Sequence, residues 1–174
     1  EAEFFVNARG KLNNDGKIDR ANFRFISAQS SDEAMVEVVK ESIEAINMSG
    51  YLGYLQELSG QELEFSFKQD AENLTIDINA ILKNEAEARR ISNGLNGWLA
   101  IIKAAKSATS ADANDKDDLA LLEGAKINAE GKQIKINFIV PKAVAHPMIQ
   151  RKLAELAAEA KKPSGNSAID RNDN

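Results

Sequence analysis

Cysteine is absent from this chain, and histidine, tryptophan and proline are scarce, with one His, one Trp and three Pro in 174 residues. Without thiols there is no disulfide, no thiolate nucleophile and no soft-metal cluster. The solitary imidazole, His146, adjoins Pro147 and has no carboxylate near it in sequence, so it builds neither a metal site nor a nucleophile–base relay. Apolar runs are short, and none approaches the roughly 20 residues that cross a bilayer, so no membrane span is expected. Basic residues are outnumbered, 22 against 27 acidic, and a net charge of -5 argues against nucleic acid, which needs a concentrated basic surface.

Motif-borne chemistry is missing too. Met48-Ser49-Gly50 lacks the first glycine of a nucleophile elbow. Gly94 and Gly97 fall inside a helical pattern with no strand before them, so they form no dinucleotide fingerprint and are read as places of close helix approach. Asn13 to Asp19 echoes the middle of a calcium loop, but in that frame the first ligand would be Lys11 and the twelfth Asn22, and a hairpin turn is the better reading. The carboxylate pairs Glu62/Glu64 and Asp117/Asp118 are expected on solvated faces or loops, where they titrate normally and make poor general acids. No catalytic residue, cofactor or metal ligand is therefore expected.

What is present is a strong strand signal. Side chains alternate apolar and polar through Ala21, Phe23, Phe25, through Leu63, Phe65, Phe67, through Leu74, Ile76, Ile78, Ala80, Leu82, and through Ile134, Ile136, Phe138, Val140. Phe4, Val6, Ala8 and Ala125, Ile127, Ala129 follow the same period more weakly. Strands with one apolar and one polar face belong to an antiparallel sheet with a wet side. Helical stripes alternate with the strands. Ser30 with Glu33, and Asn84 with Glu87, read as capping boxes ahead of Met35, Val39, Ile43, Ile46 and of Ile91, Leu95, Trp98, Ile102. A third stripe is Ile149, Leu153, Leu156, Ala160, whose start lies at either Pro141 or Pro147.

In order, the elements read strand, strand, helix, three times. The turns NNDGK, QDAEN and NAEGK are rich in residues that tolerate positive φ or bond their own backbone. Counted from Gly16, Asn73 and Gly131, the residues five, seven and nine places later are all apolar: Ala21/Phe23/Phe25, Ile78/Ala80/Leu82 and Ile136/Phe138/Val140. The expected fold is α+β, an antiparallel sheet of about six strands with helices on one face, built from three ββα units. Residues 1–109 form a ββα-ββα region, 110–118 a flexible acidic loop, 119–162 the third unit and 163–174 a loosely held tail, all in one compact domain. The other arrangement is two unrelated α+β lobes divided near 109–118.

Aromatic placement bears on function. The seven Phe all lie in expected strands and Trp98 lies on the apolar side of a helix, which is a core pattern, not a stacking platform for bases. Residues 48–61 are expected to contain a short helix in which Tyr51, Leu52, Tyr54 and Leu55 crowd together between glycines. These four form either a lid on the core or an interaction patch for a partner.

The first third also resembles a known family. Asp15-Gly16-Lys17 after a strand, a second strand ending near Ser30-Ser31-Asp32, a helix with Ala34, Val38 and Ile43 to Ala45, then a strand bearing Phe65 and Phe67, together resemble the C-terminal domain of TonB and TolA envelope proteins. The resemblance covers residues 4–68, and the remaining residues have no counterpart in the short family domain. It implies a periplasmic protein of a bacterial envelope that recognises a protein or peptide partner by adding a strand to a sheet edge. Glu1, in place of Met, is what a trimmed or processed chain would begin with, any signal or anchor lying upstream. The function expected is a non-catalytic binding or assembly module. The alternative is a carrier of a small molecule or lipid in a cavity between sheet and helices.

Overall fold

The fold is taken from a computed structural model that describes residues 3–19, 21–30, 33–48, 51–109 and 113–160, the side chains at 33, 35, 45, 46, 48, 51, 109, 113, 114, 152, 153, 155, 156, 159 and 160 lying outside the described ones. Six strands make one antiparallel sheet: β1 (Phe4–Lys11), β2 (Arg24–Ser30), β3 (Glu62–Gln69), β4 (Asn73–Ile81), β5 (Ala125–Glu130) and β6 (Gln133–Pro141), in the order β2-β1-β3-β4-β6-β5. Among the described residues, four α-helices, α1 (Glu33–Met48), α2 (Glu85–Thr109), α3 (Ala113–Glu123) and α4 (Lys142–Ala160), and one 3-10 helix, Tyr51–Leu58, complete the α+β fold.

The alternation in sequence becomes a set of cross-strand rows. Val6, Phe67, Ile76, Phe138 and Ala125 lie side by side across five strands, and Ala8, Phe65, Ile78, Ile136 and Ile127 form the next row. Period-two strands paired in this register put every apolar row on one face, so a slip of one residue anywhere would turn a whole strand inside out. Phe23, Ile78 and Phe138 all join one continuous core. The opposite face carries Arg9, Glu62, Glu64, Asp77, Asn79, Lys135 and Asn137, linked by bonds such as Asn137 Nδ2 to Asp77 Oδ1 at 2.6 Å.

The three hairpins are not equivalent. β5 and β6 meet at Gly131-Lys132, and β3 and β4 at a short turn in which the Asp70 carboxylate accepts the backbone N–H of Asn73 and of Glu72, both at 2.9 Å. Between β1 and β2 the chain instead spends residues 12–23. Leu12 and Ile18 bridge one another and are both drawn into the core, closing the NNDGK turn early. A second turn follows, where Asp19 Oδ1 accepts the N–H of Ala21 at 3.0 Å. Ala21 is therefore exposed in a turn, not on the core face of a strand, and the register expected after Gly16 holds for Phe23 and Phe25 only as partly buried packing. A β-bulge opposite Asn7 and Ala8 then resets β2.

Other expectations need correction. Residues 113–118, expected as part of a flexible loop, are the first turns of α3. Residues 110–112 and 161–174, including the expected tail, lie outside the described residues. Ser30 ends β2 and its hydroxyl donates to the Glu3 carbonyl at 3.1 Å; residues 31 and 32 and the Glu33 side chain, on which the first expected capping box turns, lie outside the described ones. The second capping site holds, with Asn84 Oδ1 accepting the N–H of Glu87 at 2.8 Å. Helix α4 starts directly after Pro141, leaving Pro147 inside it, where its nitrogen has no hydrogen to donate to the helix. Gly94 and Gly97 give no close approach: a Cβ at Gly97 would meet nothing within 4 Å, and at Gly94 only Glu57 Cδ at 3.9 Å. Among the described residues no helix is long and apolar enough to cross a membrane.

The helices divide the sheet between them. α1 lies against β1 and β2, α2 against β5 and β6, α3 against β6, and α4 against β4, β6 and α1. The middle of the apolar face, around β3 and the adjoining part of β4, is thereby left as the floor of a groove.

Candidate functional site

The groove has a cavity of about 170 Å³. Its floor is made by Phe65, Phe67, Ile76, Ile78 and Phe138, the two cross-strand rows described above. One wall is Ile43 of α1 with Leu52 and Leu55 of the 3-10 helix; the other is Leu95, Leu99 and Ile102 of α2 with Leu121 of α3. Met148 and Ile149 of α4 close one end. Tyr54 and Trp98 also line it while remaining exposed, Trp98 by 55%, which places both at the mouth.

The wall next to α1 is fixed by backbone bonding. Asn47 is buried at the end of α1, and its Oδ1 accepts the Ile18 N–H at 2.7 Å while its Nδ2 donates to the Ile18 carbonyl at 2.9 Å. One amide thus satisfies both polar groups of a residue whose side chain enters the core. The turn before Ile18 is pressed onto the 3-10 helix: Gly16 has φ of 73°, and a Cβ there would meet Gly53 Cα at 2.5 Å. That helix therefore sits on a turn from one side and faces the groove from the other.

Of the four residues expected as an interaction patch, Leu52 and Leu55 are buried and face the groove, Tyr54 is exposed at its mouth, and the Tyr51 side chain lies outside the described ones. Trp98, expected in the core, is half in solvent, whereas Ile91 and Leu95 of the same helix are buried. With Ile101, which is 63% exposed, it leaves an apolar strip beside the mouth.

The acidic residues of α3 were expected in solvent, and the fold draws them in. Asp117 is only 8% exposed and lines the groove; its Oδ2 accepts from Arg151 Nε at 2.8 Å and its Oδ1 from Arg151 Nη2. Lys106 of α2 bonds Asp115 at 2.5 Å and Asp118 at 2.8 Å. The Asp115 bond, followed by that to Asp118, holds the Lys106 ammonium well above its ordinary range, opposed by partial burial. These contacts join residues 9 to 34 positions apart, so no local pattern could have announced them.

Three polar side chains in the lining, those of Ser42, Asn47 and Asp117, are engaged with the protein itself. Ser42 Oγ donates to the Val38 carbonyl at 2.8 Å, Asn47 is committed to Ile18, and Asp117 to Arg151. His146 stands apart, its Nε2 2.9 Å from Oε1 of the buried Gln69. Among the described residues no group of three or more His, Asp or Glu is placed to hold a metal ion. What the groove offers is apolar surface, able to exclude water from a hydrocarbon body. The chain matches no family model, no curated protein and no solved structure.

Proposed function

We propose that the protein is a non-catalytic binding module that takes a small, uncharged, apolar ligand into the groove between sheet and helices. The observation that carries this reading is the cavity of about 170 Å³ where a filled core would otherwise stand. Cavities of roughly 150 Å³ lined by Leu, Ile and Phe stay dry and accept a benzene-sized guest. Because Ser42, Asn47 and Asp117 are already bonded within the protein, a buried ligand charge would find no spare partner there, and any polar end belongs at the mouth with Tyr54 and Trp98. Native mass spectrometry after incubation with a panel of neutral ring and straight-chain compounds tests this. Retention of one compound per chain is expected; retention of none, or of many per chain without saturation, would refute it.

A second reading rests on β2. It is an edge strand whose stretch Phe25–Gln29 carries no charged side chain and exposes Ile26 by 52%. The other edge, β5, is charged at Lys126 and Glu130 and has its Ile127 carbonyl bonded by Asn96 Nδ2 at 3.1 Å. A protein or peptide partner adding a strand at β2 is the mode implied by the resemblance to TonB and TolA C-terminal domains, and with it a periplasmic place in a bacterial envelope. Crosslinking from position 26 to one defined partner, abolished by Ile26→Lys, is the outcome this reading expects; unspecific neighbours unaffected by the substitution would count against it.

A further inference from the structure

The geometry points to α3 as an ion-latched flap in the wall of the apolar groove, whose release widens the groove, an inference that rests on the apolar-ligand reading above. Helix α3 is built in two unlike halves. Its C-terminal half, from Leu119 to Leu122, is apolar, and Leu121 and Leu122 face the groove. Its N-terminal half, Ala113 to Asp118, has no apolar residue larger than alanine. That half is fastened by charge: Asp115 and Asp118 to Lys106 of α2, and Asp117 to Arg151 of α4.

The two cations come from different helices, so the latch spans α2 and α4 as well as holding α3. Asp117 itself lines the groove, and α2 and α4 supply other parts of its wall through Leu99, Ile102, Met148 and Ile149. Releasing the carboxylates would let the polar half of α3 swing away on its anchored apolar half, widening the groove with little apolar surface lost. A segment held by few apolar contacts is the kind that opens locally below the global unfolding free energy. The lysine and arginine side chains are partly solvent-accessible, at 25% and 41%, so dissolved salt can compete with the latch.

Two measurements test this. In the first, release of bound 1-aminonaphthalene, a two-ring neutral fluorophore smaller than the cavity, is followed by stopped flow between about 0.05 M and about 1 M salt. Release is expected to speed up about fivefold in the wild type. A triple variant, Lys106→Met with Asp117→Asn and Arg151→Gln, is expected to release fast at every salt concentration. The Asp117 and Arg151 substitutions are made together, because removing one partner would strand a buried charge and threaten the fold. In the second, hydrogen exchange of α3 amides in ligand-free protein is compared between wild type and triple variant. Exchange faster in α3 while β3 and β4 stay protected supports the flap. Unchanged exchange in α3, or acceleration spread evenly over the protein, overturns it. If the probe fails to bind the wild type, the ligand reading falls, and the exchange result still decides whether α3 opens.

Discussion

Ala145→Leu distinguishes an unfilled groove from a packed core. Ala145 is buried on α4, at 3% exposure, and lines the cavity. In a close-packed interior, added carbon atoms at such a place force side chains off their rotamers and cost about 1–3 kcal/mol. In a cavity they replace empty space. At roughly 24 cal/mol per Å³, a void of about 170 Å³ corresponds to about 4 kcal/mol of forgone packing. Three added carbons at about 0.8 kcal/mol each recover about 2 kcal/mol of it. With a urea slope of about 1–3 kcal/mol/M, the midpoint should rise by about 1 M with the slope unchanged. The same variant should lose ligand retention, since the leucine occupies the ligand's place. A midpoint that falls by a comparable amount would show that the space is not available to a side chain and would refute the reasoning.

Other substitutions probe the scaffold around the groove. Gly97→Ala should raise stability by about 0.5–1 kcal/mol, read as a melting temperature about 1–4 °C higher, because the position is helical and its Cβ would meet nothing within 4 Å. Gly16→Ala should lower stability by at least about 2 kcal/mol in urea denaturation, since φ of 73° and Gly53 Cα at 2.5 Å both exclude a side chain. Asn47→Ala should cost about 3 kcal/mol in the same assay, leaving the buried N–H and carbonyl of Ile18 without their partners. For Asp70, the backbone N–H of Asn73, followed by that of Glu72, holds the carboxyl below its ordinary 3.8. A depressed folded value means that its stabilisation is full above that pH and is lost as pH falls through the lowered value. Wild type and Asp70→Asn should therefore differ in stability near neutrality and converge in strong acid; a gap that persists there would contradict the assignment.

The sheet was legible because its physics is local and repeated. Alternation through Ile134, Ile136, Phe138 and Val140 identifies a strand with one buried face, and the register of five strands follows from keeping such faces together. The Asn84 cap was legible for a similar reason, the interaction spanning three residues. Helix α3 was not. Asn114 to Asp118 show no apolar period, and their place is set by Lys106 and by Arg151, which only the folded chain brings near. The first hairpin misled because Leu12 and Ile18 can pair before β2 begins, a choice stabilised by Asn47, 29 residues away. The groove left no trace in sequence at all. Phe65, Ile78 and Phe138 read as core whether or not a helix covers them, and helix placement over a sheet depends on the sum of many contacts.

The single tryptophan stands at the mouth of the groove and reports directly on whether anything enters it. Titration with 1-aminonaphthalene, a neutral two-ring fluorophore whose absorption overlaps tryptophan emission, should quench Trp98 by energy transfer along a saturable curve with one site per chain, and Ala145→Leu should abolish the signal. Quenching that rises without saturation, or persists unchanged in Ala145→Leu, would contradict a binding groove between sheet and helices.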